Sequence, residues 1–423
     1  MVMPLRIRIM IPAFGVFLLI QLCAVPAFSY SVLSHEEIVD LLWVDSIQPN
    51  LLARFPKLTQ AQLQEAHAYA YGGSVIQDLG YYPFGNKEFT NLVHYVRSGD
   101  FVREMLRQSQ DANEYAFAMG ALAHYTSDFS GHPAVNQAVA MQYPKLRKKY
   151  GDSVTFAQSK SAHLKTEFSF DVLQVAKHRY VSEEYHNFIG FEVSKPLLER
   201  VFQVVYGQKL DDVLPRLDLT IRTYRYAASQ FIPELTKVAV RMHKDDLPAD
   251  SATPAQRLFM YRIPRIEFEK EWGKDYYKPK FFFRLLGTIV KLIPKIGPLK
   301  TLQFRDPTPE TEELYIRSIN TTVERYRNFL NQIRQRRDVA LQNLDLDTGN
   351  HTVPMECILA DETYQNLLLS LSEQHFESTS SALRNDILKF FSTYKLPTRT
   401  RSERKRRQKI QESLKQLTAF APR

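Results

Sequence analysis

The sequence has little cysteine, little glycine and few tryptophans. Two cysteines occur in 423 residues. Cys23 lies in an N-terminal segment that reads as a removable signal, which leaves Cys357 with no intramolecular disulfide partner. A disulfide-stapled scaffold is excluded, so stability outside the cytoplasm must come from core packing, bound metal or both. Glycine, at 15 residues, is about half its usual ~7% share. That is sparse for a sheet-rich chain with many tight turns, so the composition leans to helices. No fixed-period repeat and no low-complexity tract is present. The 44% hydrophobic content excludes a disordered chain, and the length suits two or three domains with a sizeable core.

Positive charge is also scarce where a nucleic-acid-binding body would need it. The net charge is +9, but residues 395–423 hold ten basic residues against two acidic ones. Arg6 and Arg8 lie in the first 29 residues, so the body between is close to neutral. No nucleic-acid partner is expected for it. The basic segment 396–423 reads as a solvated tail, with anionic lipid or nucleic acid as its alternative ligands.

Residues 1–29 combine Arg6 and Arg8 with an apolar run from Ile9 to Leu22, then Ala27-Phe28-Ser29. The apolar run is short for a membrane span and the small residues suit a signal peptidase, so export with cleavage after Ser29 is expected. The mature chain would then begin at Tyr30 and be secreted or periplasmic.

From 34 to 205 the pattern is of successive helices with short polar breaks. Ser34 is an N-cap candidate before His35, Thr59 precedes a helix over 61–71, and Asp111 precedes a long one from Glu114 to about His132. Gly72-Gly73 and Gly80 to Gly85 punctuate a loop. Further helices are expected over 161–180, 194–207, 218–242, 308–345 and 360–393. Residues 244–254 read as a linker, which divides a catalytic domain over 30–245 from a helical C-terminal region over 255–395. Within the latter, 278–300 has no acidic residue, and Arg284, Lys291 and Lys295 share one helical face. It reads as a membrane-interface segment, or as a core helix with its lysines extended to solvent.

The chemistry lies in an ordered set of histidines and carboxylates. His124, Asp128 and His132 stand at i, i+4 and i+8, so on a helix all three fall within a sector of about 80°. His163 and Glu167 repeat the i, i+4 spacing. Asp78 and His94 flank the Gly/Tyr/Pro loop, and His35 sits five residues after the expected N-terminus. Imidazole and carboxylate together suit Zn²⁺. The other histidines, His67, His178, His186, His243, His351 and His375, fit no such spacing.

Taken in order, these residues resemble the zinc-dependent phospholipase C superfamily, which also includes the S1/P1 nucleases and the catalytic domain of glycosylphosphatidylinositol-specific phospholipase D. The likeness covers roughly 30–205. Tyr30-Ser-Val-Leu-Ser-His35 has the family's spacing between the mature N-terminal residue, which chelates zinc through its amine and carbonyl, and the first histidine. Gly73-Ser-Val-Ile-Gln-Asp78-Leu-Gly-Tyr-Tyr-Pro83 is similar to the phospholipase D branch, as is the four-residue step from Asp128 to His132. Leu33 stands where the Bacillus-type phospholipase carries an acidic choline-binding residue.

The resemblance implies an all-α bundle around three zinc ions, with a helical C-terminal extension. Asp78, His94 and His124 would hold one ion, and Tyr30 with His35 a second, Asp128 bridging the two. His132, His163 and Glu167 would hold the third. Two zincs about 3.5–4 Å apart can acidify a shared water for in-line attack on phosphorus, with the ions neutralising the developing charge. Asp78 is then either the proton acceptor or a ligand only. The implied activity is a phospholipase C-type hydrolysis of phospholipid head groups at a peripheral membrane surface. Type D cleavage, a nuclease and a non-enzymatic zinc-stabilised membrane module are the alternatives. No Ser/His/Asp triad, phosphate-binding glycine loop or assisted cysteine nucleophile competes with the metal set.

Overall fold

Side chains that accept otherwise unpaired amides set the helix starts. In the computed structural model, which describes residues 32–177, 180, 190–243, 302–337, 339–395 and 400–420, Thr59 and Gln62 form a capping box before Gln60–Ser74. Asp111 accepts from the Glu114 amide at the start of Ala112–Gln142. Ser34 is not a cap. It lies inside the helix Val32–Leu42, and its hydroxyl donates to Asp171 Oδ1 at 3.1 Å.

The fold is all-α, and among the described residues the only strand pairing is a short hairpin. In chain order the helices are α1 (Val32–Leu42), α2 (Gln48–Arg54), α3 (Gln60–Ser74), α4 (Lys87–Tyr95), α5 (Ser98–Gln108), α6 (Ala112–Gln142), α7 (Pro144–Tyr150) and α8 (Lys160–Ala176). They continue as α9 (Lys195–Tyr206), α10 (Leu210–Val213), α11 (Leu217–Tyr226), α12 (Ile232–His243), α13 (Pro309–Arg334), α14 (Ile358–Glu373), α15 (Ser381–Thr393) and α16 (Arg401–Ala419). A 3₁₀ turn, Ile76–Tyr81, occupies the region expected as a loop. Strands β1 (Leu344–Asp345) and β2 (Asn350–His351) pair antiparallel.

Helix α6 is the axis of the assembly, and α3 lies closest to it because both lack side chains where they cross. A Cβ on Gly73 would stand 2.0 Å from the Phe117 carbonyl oxygen, and one on Gly120 would stand 2.1 Å from that of Ala70. Any larger residue would push the helices apart.

Described parts of the C-terminal region pack closely against this bundle. Tyr326 of α13 is fully buried and donates to the Met119 carbonyl of α6 at 2.8 Å. One hydrophobic core runs continuously from Val32 through Tyr315 and Leu367 to Leu417. The helix expected over 308–345 stops at Arg334, and the one over 360–393 divides into α14 and α15. The segment expected as a solvated tail contains α16, whose Ile410 and Leu417 are buried. The signal segment 1–29, Tyr30, the linker 244–254 and the segment 278–300 lie outside the described residues. No helix among the described residues is long and apolar enough to cross a membrane.

Candidate metal centre

Four helices and the 3₁₀ turn converge on one point inside the bundle. His124, Asp128 and His132 project from a single face of α6, and each is fully buried. His35 lies in the first turn of α1, which α8 anchors: Asp171 accepts from the Leu33 amide at 3.3 Å as well as from Ser34. A carboxylate there also suits the positive end of the helix dipole. The 3₁₀ turn supplies Asp78, the last turn of α4 supplies His94, and α8 supplies His163 and Glu167.

Asp128 stands at the middle. Its Oδ2 lies 3.0 Å from His124 Nε2 and 3.1 Å from His94 Nε2. Its Oδ1 lies 3.4 Å from His35 Nε2 and 3.7 Å from His132 Nε2. Asp78 Oδ1 is 3.6 Å from His94 Nε2. On the far side, Glu167 Oε1 is 3.5 Å from His132 Nε2 and 3.1 Å from His163 Nδ1. Two triplets, His35-His124-Asp128 and Asp78-His94-His124, have ligand atoms all within 4.8 Å of one another. His124 therefore borders both positions that the sequence reading separated.

The outward ring nitrogens are tied down. His94 Nδ1 donates to the Thr90 carbonyl at 2.8 Å and His124 Nδ1 to that of Ser74 at 2.9 Å. The Ser74 carbonyl is in the last turn of α3, where helix partners run out. These bonds fix which nitrogen faces outward, so in the neutral form of each ring Nε2 presents its lone pair inward, as metal-ligating histidines do.

The inward atoms lack such partners. Both oxygens of Asp78 and of Asp128, Nε2 of His94 and of His124, and Nδ1 of His163 are buried without a hydrogen bond. An unsatisfied buried polar atom costs about 1–3 kcal/mol. Coordinated cations would resolve this cost, and the nitrogen and oxygen donor set fits zinc.

The electrostatics agree. Burial pushes the Asp78 carboxyl up to about 7, against the pull of His124 and His94. Burial also opposes ionisation of Asp128, but His124 and His132 hold it well below the usual carboxylate range. Burial pulls His94 down, yet Asp128 and Asp78 outweigh it and push the ring up to about 9. His132 is carried to about 10 in the same way, with Asp128, Asp347 and Glu167 overriding burial. His35 goes the other way, lowered by burial and by neighbouring His124.

Of the nine residues predicted from sequence, eight therefore adjoin in one buried cluster, and Tyr30 lies outside the described residues. Two neighbours of the cluster carried no sequence signal. Asp347, in the turn between β1 and β2, places Oδ1 3.4 Å from His132 Nδ1. Lys160, the first residue of α8, sets its ammonium 4.7 Å from the Tyr81 ring centroid and 4.9 Å from that of Phe156. Burial and Lys87 lower that ammonium to about 8, against the attraction of Asp347 and Asp78. A cleft of about 1020 Å³ opens beside the cluster, with Asp345, Asp347, Cys357, Tyr394 and Arg406 among its walls.

Residues 34–213 match a family model described as zinc dependent phospholipase C. The match spans every described residue of the cluster and stops well short of Asp347. No curated protein and no solved structure gives a significant match.

Proposed function

We propose, on the match of residues 34–213 to the zinc dependent phospholipase C family model, that the chain is an exported zinc-dependent phosphodiesterase that hydrolyses phospholipid head groups, with phospholipase C-type cleavage. The observation that carries this reading is the set of buried, hydrogen-bond-free ligand atoms around Asp128 within the matched span. The outward-facing nitrogens of His94 and His124 are already satisfied, so the inward donors are arranged for cations and for little else.

Zinc held here would supply Lewis acidity toward phosphate oxygens and lower the pKa of a water toward neutrality. The chain's own residues do the rest. Asp128 presents one oxygen to each side of the cluster, which suits a bridging ligand. Asp78, with neither oxygen hydrogen-bonded, is placed to accept the proton of an attacking water. Lys160, braced on two aromatic rings, is the cation offered to the non-bridging oxygens of the phosphodiester. The cleft beside Asp347 is large enough for a lipid head group.

Two further parts of the reading concern the setting. Export rests on the sequence of residues 1–29. Peripheral membrane binding is supported by α16, whose Arg401, Lys405 and Lys409 are exposed on one face while Arg406, from the same helix, lines the cleft.

Phosphorus NMR of mixed phospholipid micelles incubated with the chain starting at Tyr30, with Zn²⁺ present, tests the proposal. Soluble phosphomonoester is the expected product. Phosphatidic acid would move the activity to type D cleavage. Neither product, with zinc fully bound, would overturn the phospholipid reading.

A further inference from the structure

The matched span supplies the metal-binding atoms, but it does not supply everything that aims them. His132 is held from a segment more than a hundred residues beyond it. Asp347 Oδ1 lies 3.4 Å from His132 Nδ1, and the ring's other nitrogen faces Glu167 Oε1 at 3.5 Å. The second carboxylate oxygen of Asp347 accepts from the Tyr95 hydroxyl at 2.5 Å, which prevents the group from turning away.

The same residue also reaches His163. Its backbone carbonyl accepts from Asn136 Nδ2 at 2.9 Å, and His163 Nε2 lies 2.9 Å from Asn136 Oδ1. With its NH₂ spent on Asp347, the amide can only accept from the ring. His163 therefore carries its proton on Nε2 and its lone pair on Nδ1, 3.1 Å from Glu167 Oε1. One turn of the C-terminal half thus sets the orientation of both imidazoles beside Glu167.

The turn is fitted to this place. Pro133 lacks an N–H, so the Phe129 carbonyl four residues earlier has no donor within α6. Gly349 packs against that carbonyl with φ +72, and a Cβ there would stand 2.4 Å from its oxygen. Leu346 donates its amide to the His94 carbonyl at 3.2 Å, and the Asp347 amide is held by Asp345 Oδ1 at 2.9 Å.

We infer that Asp347 is a positioning residue that fixes His132, and through Asn136 also His163, for a metal ion shared with Glu167. The C-terminal half is then part of the metal centre and not only of its surroundings. The inference rests on the zinc reading of the cluster. Its chemistry is the carboxylate–histidine–metal arrangement, in which an outer partner is worth 10–100-fold in metal affinity.

The test uses full-length D347A and D347N. Zinc per chain is measured at a series of buffered free-zinc concentrations, alongside long-range ¹H–¹⁵N spectra of the zinc-free histidine rings. D347A is expected to weaken one zinc by about 10–100-fold, leave the rest bound, and change the His132 ring signals. D347N keeps a neutral acceptor and should lose less. If D347A does not fold, D347N decides, with a several-fold weakening expected. A turn that merely packs would lower the melting temperature of the zinc-free chain and leave every zinc affinity unchanged, and that result overturns the inference. Failure of the unsubstituted chain to bind zinc at all would instead overturn the zinc reading itself.

Discussion

His35 and His124 stack face to face, with ring centroids 4.3 Å apart and planes 13° from parallel. Two imidazolium ions could not share that geometry in a buried site. Burial and the neighbouring His124 ring keep His35 well below its ordinary range, so His35 is in the neutral form that binds metal. Asp128 supplies the negative charge between them, with Oδ1 toward His35 and Oδ2 toward His124.

Substitution of Asp128 by Asn should therefore be severe without changing shape. It removes the one charge shared by both sides of the cluster, and outer partners of metal ligands alone are worth about 10–100-fold. We expect at least about 100-fold loss of phosphodiesterase activity, together with loss of bound zinc by elemental analysis. A zinc-stabilised module that only binds membranes would lose melting temperature and have no turnover to lose. An unchanged rate in D128N would count against the bridging role.

Zinc loading should release protons and strengthen as pH rises. In the metal-free chain burial is overridden, and carboxylate neighbours hold His94 at about 9 and His132 at about 10. Both rings are then cationic at neutral pH, and each must lose its proton to coordinate. The sign follows: below these values protons compete with zinc, and above them they do not. Calorimetry in buffers of different ionisation enthalpy should report release of about two protons from these rings per fully loaded chain near pH 7, with a further fraction from Asp78, whose carboxyl burial pushes up to about 7. A zinc affinity flat between pH 6 and about 9 would show that these rings are not ligands.

The clustered side chains were legible because helical periodicity writes them into the sequence. His124, Asp128 and His132 recur at four-residue steps on α6, and His163 and Glu167 do the same on α8. Thr59 and Asp111 announced their helices through local cap chemistry, which depends only on near neighbours. Ser34 failed as a cap for the opposite reason. Its partners, Asp171 and Tyr315, come from remote parts of the chain, and no local pattern records them. Asp347 was invisible on the same ground, since its meaning depends on a turn meeting Pro133 and Phe129 across the fold. The helices at 308–345 and 360–393 were overextended where their periodicity continues past the real stops at Arg334 and Glu373.

Lys160 should affect substrate binding more than turnover. Its ammonium is caged by Tyr81 and Phe156 near the cluster, where a cation can meet a phosphodiester anion. K160M keeps the length of the side chain and removes the charge, so KM should rise about 10-fold with kcat changed less, and K160R should restore most of the loss. Burial, then Lys87, lowers this ammonium to about 8, so the charge is present below that pH and is lost as pH climbs through it. Wild-type KM should accordingly rise on the alkaline side, whereas the KM of K160M should not follow that rise. Equal KM values for the two chains across pH would remove Lys160 from the site.

The outer face of α16 gives the remaining prediction. Ile410, Ser413 and Leu417 are buried, whereas Arg401, Lys405 and Lys409 are exposed at four-residue steps earlier on the helix. Each basic group near an anionic bilayer is worth about 1 kcal/mol. Reversing all three to Glu should therefore weaken binding to phosphatidylglycerol-containing vesicles by about 100-fold or more. Binding of the unaltered chain should fall with added salt, because surface charge is screened within about 10 Å at 0.1 M. None of the three residues touches the metal cluster, so hydrolysis of a soluble short-chain phospholipid should be unchanged. The two assays separate docking from chemistry. Loss of vesicle binding alone places the membrane contact on α16, and equal binding by the reversed and unaltered chains would move that contact elsewhere on the protein.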